Sequence, residues 1–442
     1  MGIRITEPRS VTGKSLVIGA VVLMLMVPLS LLRGLVSERA ERREQAYQRV
    51  AEGWGGSTVL GGPMLVIPTE HTVTDREGTR TVRGEVYLLP SRLDADVALQ
   101  LDEPRYVGIY AVPVFLSNVH LSGTFDFAGL APLLDKAGVT YLWSQARLRL
   151  PLSEVRSLRE VTRASFAGQE RGLGPAAPGL YRGIDAPVDL AQLEREEPAA
   201  FDFRMVVAGS RDFSVLPLGS TTRVLIRSPW PHPSFQGAFL PIERNVSAQG
   251  FDARWQVLEL NRAYRQAWRE GEVDEQTLVG SGLGVGLYQA VDVYQRGERA
   301  IKYALLFIAL TFLTFFAWEH TSGIQLHPLQ YLLVGLALST FYLLLIAISE
   351  HLAFALAYII AAVALVLLIG TYIAGALRSS RRGIAVGVGM SGVYALLYVL
   401  VLSEDYALLL GAITLFAALA AVMLTTRKVD WYRLGTSTQA GD

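Results

Sequence analysis

The stretch SLVIGAVVLMLMVPLSLL at residues 15–32 decides the class of this chain. It runs for eighteen residues without a charge, and a hydrocarbon layer about 30 Å thick needs roughly 20 apolar residues in helix. Arg4, Arg9 and Lys14 precede it, as in the basic flank of a secretory leader. The apolar stretch is long, however, and no A-x-A cleavage signal follows. It therefore reads as an uncleaved membrane anchor.

Five further runs of this kind fill the C-terminal third, at about 300–318, 329–348, 352–375, 383–402 and 406–424. Their cores hold no Asp, Glu, Arg or His, and the only Lys, Lys302, lies near enough to an end to reach the interface. Six spans put both termini on one side, and the lysines and arginines of the short loops decide which side. Arg4, Arg9, Lys14, Arg378, Arg381, Arg382, Arg427, Lys428 and Arg433 lie with the termini, whereas the turns at 349–351 and 403–405 have none. The expectation is a cytoplasmic N-terminus at 1–14, a cytoplasmic tail at 425–442, and residues 33–299 on the outer, periplasmic side. Arg33, Arg39, Arg42 and Arg43 oppose this, but long domains translocate largely regardless of charge.

Of the 442 residues, 51% are hydrophobic and only 18% charged, against about 25% in an ordinary soluble domain. Lys+Arg and Asp+Glu both number 40, and no basic patch stands out, which argues against a nucleic-acid partner. The absence of cysteine excludes disulfides, thiolate zinc sites and thiol catalysis.

Residues 33–52 alternate charge signs and read as a helical stalk that GWGG (53–56) terminates. Period-two patterns follow at 82–89, 95–101, 106–116, 145–150, 201–208 and 221–227. In LGVGLYQAVDV (283–293) the residues Leu283, Val285, Leu287, Val291 and Val293 share one parity, as a half-buried strand requires. GQERGLGPAAPGL (168–180) is a Gly/Pro-rich loop, and a short helix is expected around 257–269. The fold class is then a membrane protein with one N-terminal transmembrane helix, a large β-rich α+β extracytoplasmic domain, and a C-terminal bundle of five transmembrane helices. LSGTFDF (121–127) and VAGSRDF (207–213) echo each other, which leaves open two related lobes or a recurring β-hairpin corner.

Motifs for chemistry are sparse. PRSVTGKS (8–15) lacks the first glycine of a P-loop and follows no strand. GSGLGVG (280–286) has the wrong spacing for a dinucleotide fingerprint, and neither H-E-x-x-H nor G-x-S-x-G occurs. No catalytic residue, cofactor or metal site is therefore assigned. Polar candidates gather at the span ends: Glu319, His320 and His327 in one connection, Glu350 and His351 in one turn, Glu404 and Asp405 in another. The seven-residue interval from His320 to His327 does not place two ligands on adjacent helical turns. The spans carry no ionisable residue near mid-membrane, which is where coupled transporters need one.

SPWPHPSFQGAFLP (228–241) is the most unusual stretch of the outer segment. Pro229, Pro231 and Pro233 lack an amide donor and fix φ, so it is an extended loop or edge segment. Trp230, Phe235 and Phe239 either pin it to the β core or, with His232, present a rigid aromatic surface to a partner.

KYALLFIALTFLTFFAWE (302–319), QLHPLQYLLVGLALSTFYLLLIAISEH (325–351), DYALLLGA (405–412) and TRKVDWY (426–432) closely resemble the CreD family. GGPMLVIP (61–68), VYLLP (86–90) and the proline-rich stretch are similar too, so the resemblance covers nearly the whole chain in order. It implies a non-catalytic bacterial inner-membrane protein of envelope integrity, stress response and colicin tolerance, with a large periplasmic domain. The expected partners are the lipid bilayer and an envelope protein or component, with no nucleic acid. The alternative is a transporter, channel or lipid-handling component.

Overall fold

The computed structural model describes residues 11–75, 78–134, 138–193, 197–287, 293–322, 327–376, 379–403 and 406–426. They divide into two compact units, Arg43–Ala290 and a helical unit of Met1–Arg42 with Val291–Asp442. The division falls inside the first helix, α1 (Val11–Trp54), a single element of 44 residues. It stops where Gly55 takes φ +125° and returns its N–H to the Ala51 carbonyl, at 3.0 Å, a conformation that favours glycine. The last residue is gripped from the β-rich unit. Arg105 and Arg159 lie 4.2 and 4.6 Å from the Trp54 ring, and Arg159 donates to the Trp54 carbonyl.

Three sheets make the β-rich unit. The eight-stranded one runs Glu243–Ser247, Gly250–Leu258, Thr221–Ser228, Arg92–Val107, Tyr110–Phe125, Ala199–Gly209, Leu158–Phe166 and Gln169–Glu170. A second, seven-stranded sheet centres on the hairpin Met64–Asp75 and Gly78–Leu88, flanked by Arg147–Pro151, Val139–Tyr141 and Ala267–Arg269. The third orders Thr58–Gly61, Asp212–Leu216, Leu283–Leu287 and Pro233–Gly237. One continuous core joins them, with Trp255, Trp268, Phe115, Phe125 and Phe203 essentially dry. Besides the end of α1, the α-helices of this unit among the described residues are single turns or little more, α2 (Ala131–Leu134) and α3 (Glu275–Gly280).

Several sequence expectations change. No helix forms over 257–269; the chain there ends one strand, makes a 3-10 turn at Glu259–Asn261, and enters the strand Ala267–Arg269. Tertiary packing overrides local propensity, because Trp268 stacks on Tyr87 at 5.7 Å and meets Tyr264 edge-on. The expected strand at 106–116 is broken by a turn at Gly108. Leu283–Leu287 is buried on both faces instead of one; it is an inner strand of the third sheet, between Asp212–Leu216 and Pro233–Gly237, and its second face carries only Gly284 and Gly286. Its continuation at 288–292 lies outside the described residues. The echoing segments do different work: Asp126 caps a 3-10 turn through the Ala128 N–H, whereas Asp212 opens a strand and accepts from Ser57 and Gln236.

The helical unit adds α4 (Val293–Ser322), α5 (Pro328–Ser349), α6 (Phe354–Ala376), α7 (Ser380–Leu402) and α8 (Ala407–Thr426). Among the described residues, four helices are long and apolar enough to cross a membrane: α1, α5, α6 and α7. The sequence predicts two more, α4 and α8. α4 opens on Arg296, Glu298, Arg299 and Lys302. Buried residues recur at three and four on α5 (Tyr331, Val334, Leu338, Tyr342, Leu345) and on α6 (Phe354, Ala357, Tyr358, Ala361, Leu365), the stripe of packed helices. A cluster of Phe341, Tyr342, Tyr358 and Tyr394 knits α5, α6 and α7 together. Gly383 packs against α6, where an added Cβ would fall 2.7 Å from the Gly370 carbonyl, the close approach that small residues allow.

Burial makes the β-rich unit sensitive to alkali. Tyr181 is buried, and burial, helped by Glu275, raises its hydroxyl to about 12. An unfolded tyrosine loses its proton near pH 10, so the folded state holds the proton longer. Stability from this group is intact below about pH 10 and declines towards pH 12, by about 2–3 kcal/mol. Thermal melts at rising pH should show that decline, and Tyr181→Phe should flatten it; an equal decline in the variant would assign the effect elsewhere.

Candidate functional site

The proline-rich segment folds as a strap on the β-rich unit. It leaves the strand Thr221–Ser228 through Ser228, whose Oγ accepts the Trp230 N–H at 3.2 Å. The Trp230 indole turns back and donates to the His232 carbonyl, at 3.0 Å. From Pro233 to Gly237 the chain becomes the edge strand of the third sheet, antiparallel to Leu283–Leu287. Proline is tolerated at the first residue of an edge strand because no ladder bond needs its amide.

Three contacts then fix the strap. The Phe235 ring meets Phe251 at 5.7 Å and Trp255 at 5.9 Å, both near edge-on. Trp255 donates its indole N–H to the Phe239 carbonyl, at 3.1 Å. Gly237 takes φ +104°, and a Cβ there would fall 2.2 Å from the Gly282 carbonyl, so the tight approach requires glycine.

Trp230, Phe235 and Phe239 are partly buried against the core, while His232 is exposed. Beyond them, sequence reasoning missed a run of apolar side chains left in the open. Leu240 is 71% exposed and Ile242 63%, with Leu260 at 93% at the far end of the neighbouring strand. Ile242 donates its N–H to the Arg254 carbonyl, so it belongs to the edge of the eight-stranded sheet. The signal was present as FLPI (239–242) at the end of the strap, but apolar residues beside proline read equally well as core.

Among the described residues, the interface candidates are not brought into one site. His327 caps α5: its Nδ1 accepts the Leu329 N–H at 3.2 Å, and Gln330 reciprocates by accepting the His327 N–H. Glu319 and His320 lie in α4, but their side chains are outside what is described. Glu350 is 10% exposed at the end of α5, where it accepts from the Tyr294 hydroxyl at 3.2 Å and faces Arg39 of α1 at 3.6 Å. His351 is exposed in the same turn. Glu404 and Asp405 lie outside the described residues. No group of three or more metal-ligating side chains occurs among the described residues.

A second feature escaped the sequence reading. In the strand Arg147–Pro151 the two arginines point into a covered face, and Arg149 is wholly buried. Arg149 clasps Asp185 with two hydrogen bonds of 2.9 and 2.8 Å and donates to the Ala177 carbonyl. Burial pulls the guanidinium pKa down, but Asp185 more than offsets that and holds it above its ordinary value. Arg147 bonds Glu85, which also accepts from the Tyr87 hydroxyl. The Gly/Pro-rich loop closes over this network, with Gly179 directly against the Arg149 guanidinium.

A family model described as Inner membrane protein CreD matches residues 10–432. The Inner membrane protein CreD of Escherichia coli (strain K12) is 33% identical over 424 residues, which is 93% of this chain and 91% of that one. Among solved structures, a mutant M1 zinc metallopeptidase from Deinococcus radiodurans is 14% identical with a TM-score of 0.24, covering 45% of this chain and 42% of its own. The same enzyme bound to a Tyr-Ser-Ala substrate aligns with the same TM-score of 0.24, identity of 14% and coverage of 45% and 42%. Likeness at that level carries no argument about fold or chemistry.

Proposed function

The chain belongs to the CreD family of inner membrane proteins, and on that footing we propose that it acts without catalysis, as an envelope-integrity and stress protein. Its β-rich unit binds an envelope protein or component through the strap at 228–241 and the apolar side chains beside it. The observation that carries this reading is the pairing of a rigid segment with exposed Leu240 and Ile242. A strap already anchored by Phe235 and Trp255 loses little entropy on binding, which is what makes a preorganised contact surface strong. Aromatic and apolar anchors of this type carry most of the binding energy at interfaces.

The topology proposed with it has six spans, α1 and α4–α8, with cytoplasmic termini and residues 33–299 in the periplasm. It rests on the lysines and arginines of the short loops. Cysteine substitution supplies a direct measurement, since the chain has no native thiol. A cysteine at Ser247 should react with a membrane-impermeant maleimide in intact cells, and one at Ser403 should do so too. Labelling of Ser380→Cys from outside would overturn the arrangement.

The binding role is tested by photo-crosslinking from positions 232 and 240 in living cells, with Trp230→Ala as the variant. Trp230 is only partly buried, so the variant should fold and melt within a few degrees of the parent. It should lose the crosslinked product and reduce detergent survival to that of cells lacking the chain. Survival unchanged in the folded variant would sink the proposal, as would equal crosslinking from a position on the opposite sheet edge.

A further inference from the structure

A cleft of about 260 Å³ opens between α4 and α7. Its walls include Thr311 and Phe315 of α4 and Ala385, Val386, Gly389 and Met390 of α7. The one hydroxyl among these is spent, because Thr311 donates to the Phe307 carbonyl of its own helix, at 2.8 Å. An unpaired polar occupant would find no hydrogen-bond partner, so hydrocarbon is the chemistry the walls accept.

One end of the cleft is charged. Arg381 and Arg382 stand in the first turn of α7 and are exposed, and neither has an ion-pair partner among the described residues. Arg382 precedes Val386 by four residues and Gly389 by seven, and Arg381 precedes Ala385 by four, so both occupy the helix face that lines the cleft. The rise from Arg382 to Val386 is about 6 Å. Helical side chains lean towards the N-terminus, which carries the guanidinium groups just past the apolar walls. The flank of α7 next to that face packs on α6, with Gly383 against Gly370 and Ala374.

We propose that this cleft is a binding site for an anionic phospholipid, with one acyl chain between α4 and α7 and the phosphate on Arg381 and Arg382. The order of groups along α7, two exposed arginines and then an uncharged apolar channel, matches the order of groups in such a lipid. The site lies in the helical unit and is independent of the strap, so it goes beyond the envelope-binding role.

The test uses the full chain in nanodiscs of mixed phosphatidylglycerol and phosphatidylcholine, released and weighed by native mass spectrometry. The parent should retain one phosphatidylglycerol in preference to phosphatidylcholine. Gly389→Leu should abolish retention; a Cβ at Gly389 meets nothing within 4 Å, so the new side chain fills the cleft without displacing a neighbour. Arg381→Gln and Arg382→Gln should each lower the preference for the anionic lipid about fivefold. Val388→Leu, exposed and outside the walls, should change nothing. If Gly389→Leu fails to fold, Ala385→Leu blocks the next turn of the same wall. Equal retention of both lipids by the parent would overturn the proposal, as would retention that survives the blocked cleft. A dimer that Gly389→Leu dissociates would overturn it as well, by making a second copy the occupant.

Discussion

Replacing Arg149 with leucine is expected to destabilise the β-rich unit by about 3–5 kcal/mol, the cost of stranding one partner of a buried ion pair. Arg149 is fully buried and Asp185 nearly so, and their two hydrogen bonds are joined by one to the Ala177 carbonyl. Removing the guanidinium leaves the nearly buried Asp185 carboxylate with the Ala177 N–H and the neighbouring Arg147, 3.3 Å away, as its remaining partners. For a unit of this size the loss should lower the melting temperature by roughly 6–20 °C, read from tryptophan fluorescence of the solubilised chain. Arg149→Leu with Asp185→Leu should recover a large part of that loss, because a neutral apolar pair carries no desolvation penalty. The exposed pairs Arg227–Asp96 and Arg254–Glu243 provide the contrast. Breaking either should cost no more than about 1 kcal/mol. A melting point unmoved by Arg149→Leu would show that the clasp contributes nothing to stability.

That clasp also shows where sequence reading stops. The alternation of arginine and leucine in RLRLP predicts a strand with one wet face, and the strand is there. Nothing local announces that a glycine-rich loop thirty residues later folds over the arginine face, or that Asp185 comes with it. The same limit explains Leu283–Leu287. Its parity pattern was legible, but its place as an inner strand depends on partners at 212–216 and 233–237, far away in the chain. The residues 257–269 failed for a related reason: Tyr264 and Trp268 have ordinary helical spacing, and it is the stacking of Trp268 on Tyr87 across the sheet, with Tyr264 edge-on to Trp268, that makes them strand and turn.

Elements whose structure depends on their own composition were legible. The long uncharged runs at 329–348, 352–375 and 383–402 became α5, α6 and α7 within a few residues. GWGG ended α1 because glycine at position 55 can take the positive φ that stops a helix. The prolines at 229, 231 and 233 excluded helix and central strand, and the segment is a strap ending in an edge strand. What proline chemistry could not reveal is which aromatic faces inward. Phe235 does, against two rings, while His232 does not.

Trp255→Ala is the variant that separates scaffold from surface, and its expected cost is about 3–5 kcal/mol, the range for truncating a buried tryptophan. Two effects combine. The indole is almost wholly buried in the core of the β-rich unit, so its removal opens a large cavity. It also holds the strap twice, through the Phe235 ring at 5.9 Å and the Phe239 carbonyl at 3.1 Å. Trp255→Phe splits them. It keeps most of the apolar volume and the edge-on ring contact but removes the donor, leaving the Phe239 carbonyl without that partner, a change of about 1–3 kcal/mol. If the strap binds a partner as a preorganised surface, Trp255→Phe should weaken crosslinking from position 240 well beyond its effect on melting. The loosened strap must then be ordered again at the moment of binding. Trp230→Ala should do the opposite, removing the contact with almost no thermal cost. Crosslinking that tracks melting temperature across all three variants would make the strap scaffold alone, with the contact surface elsewhere on the β-rich unit.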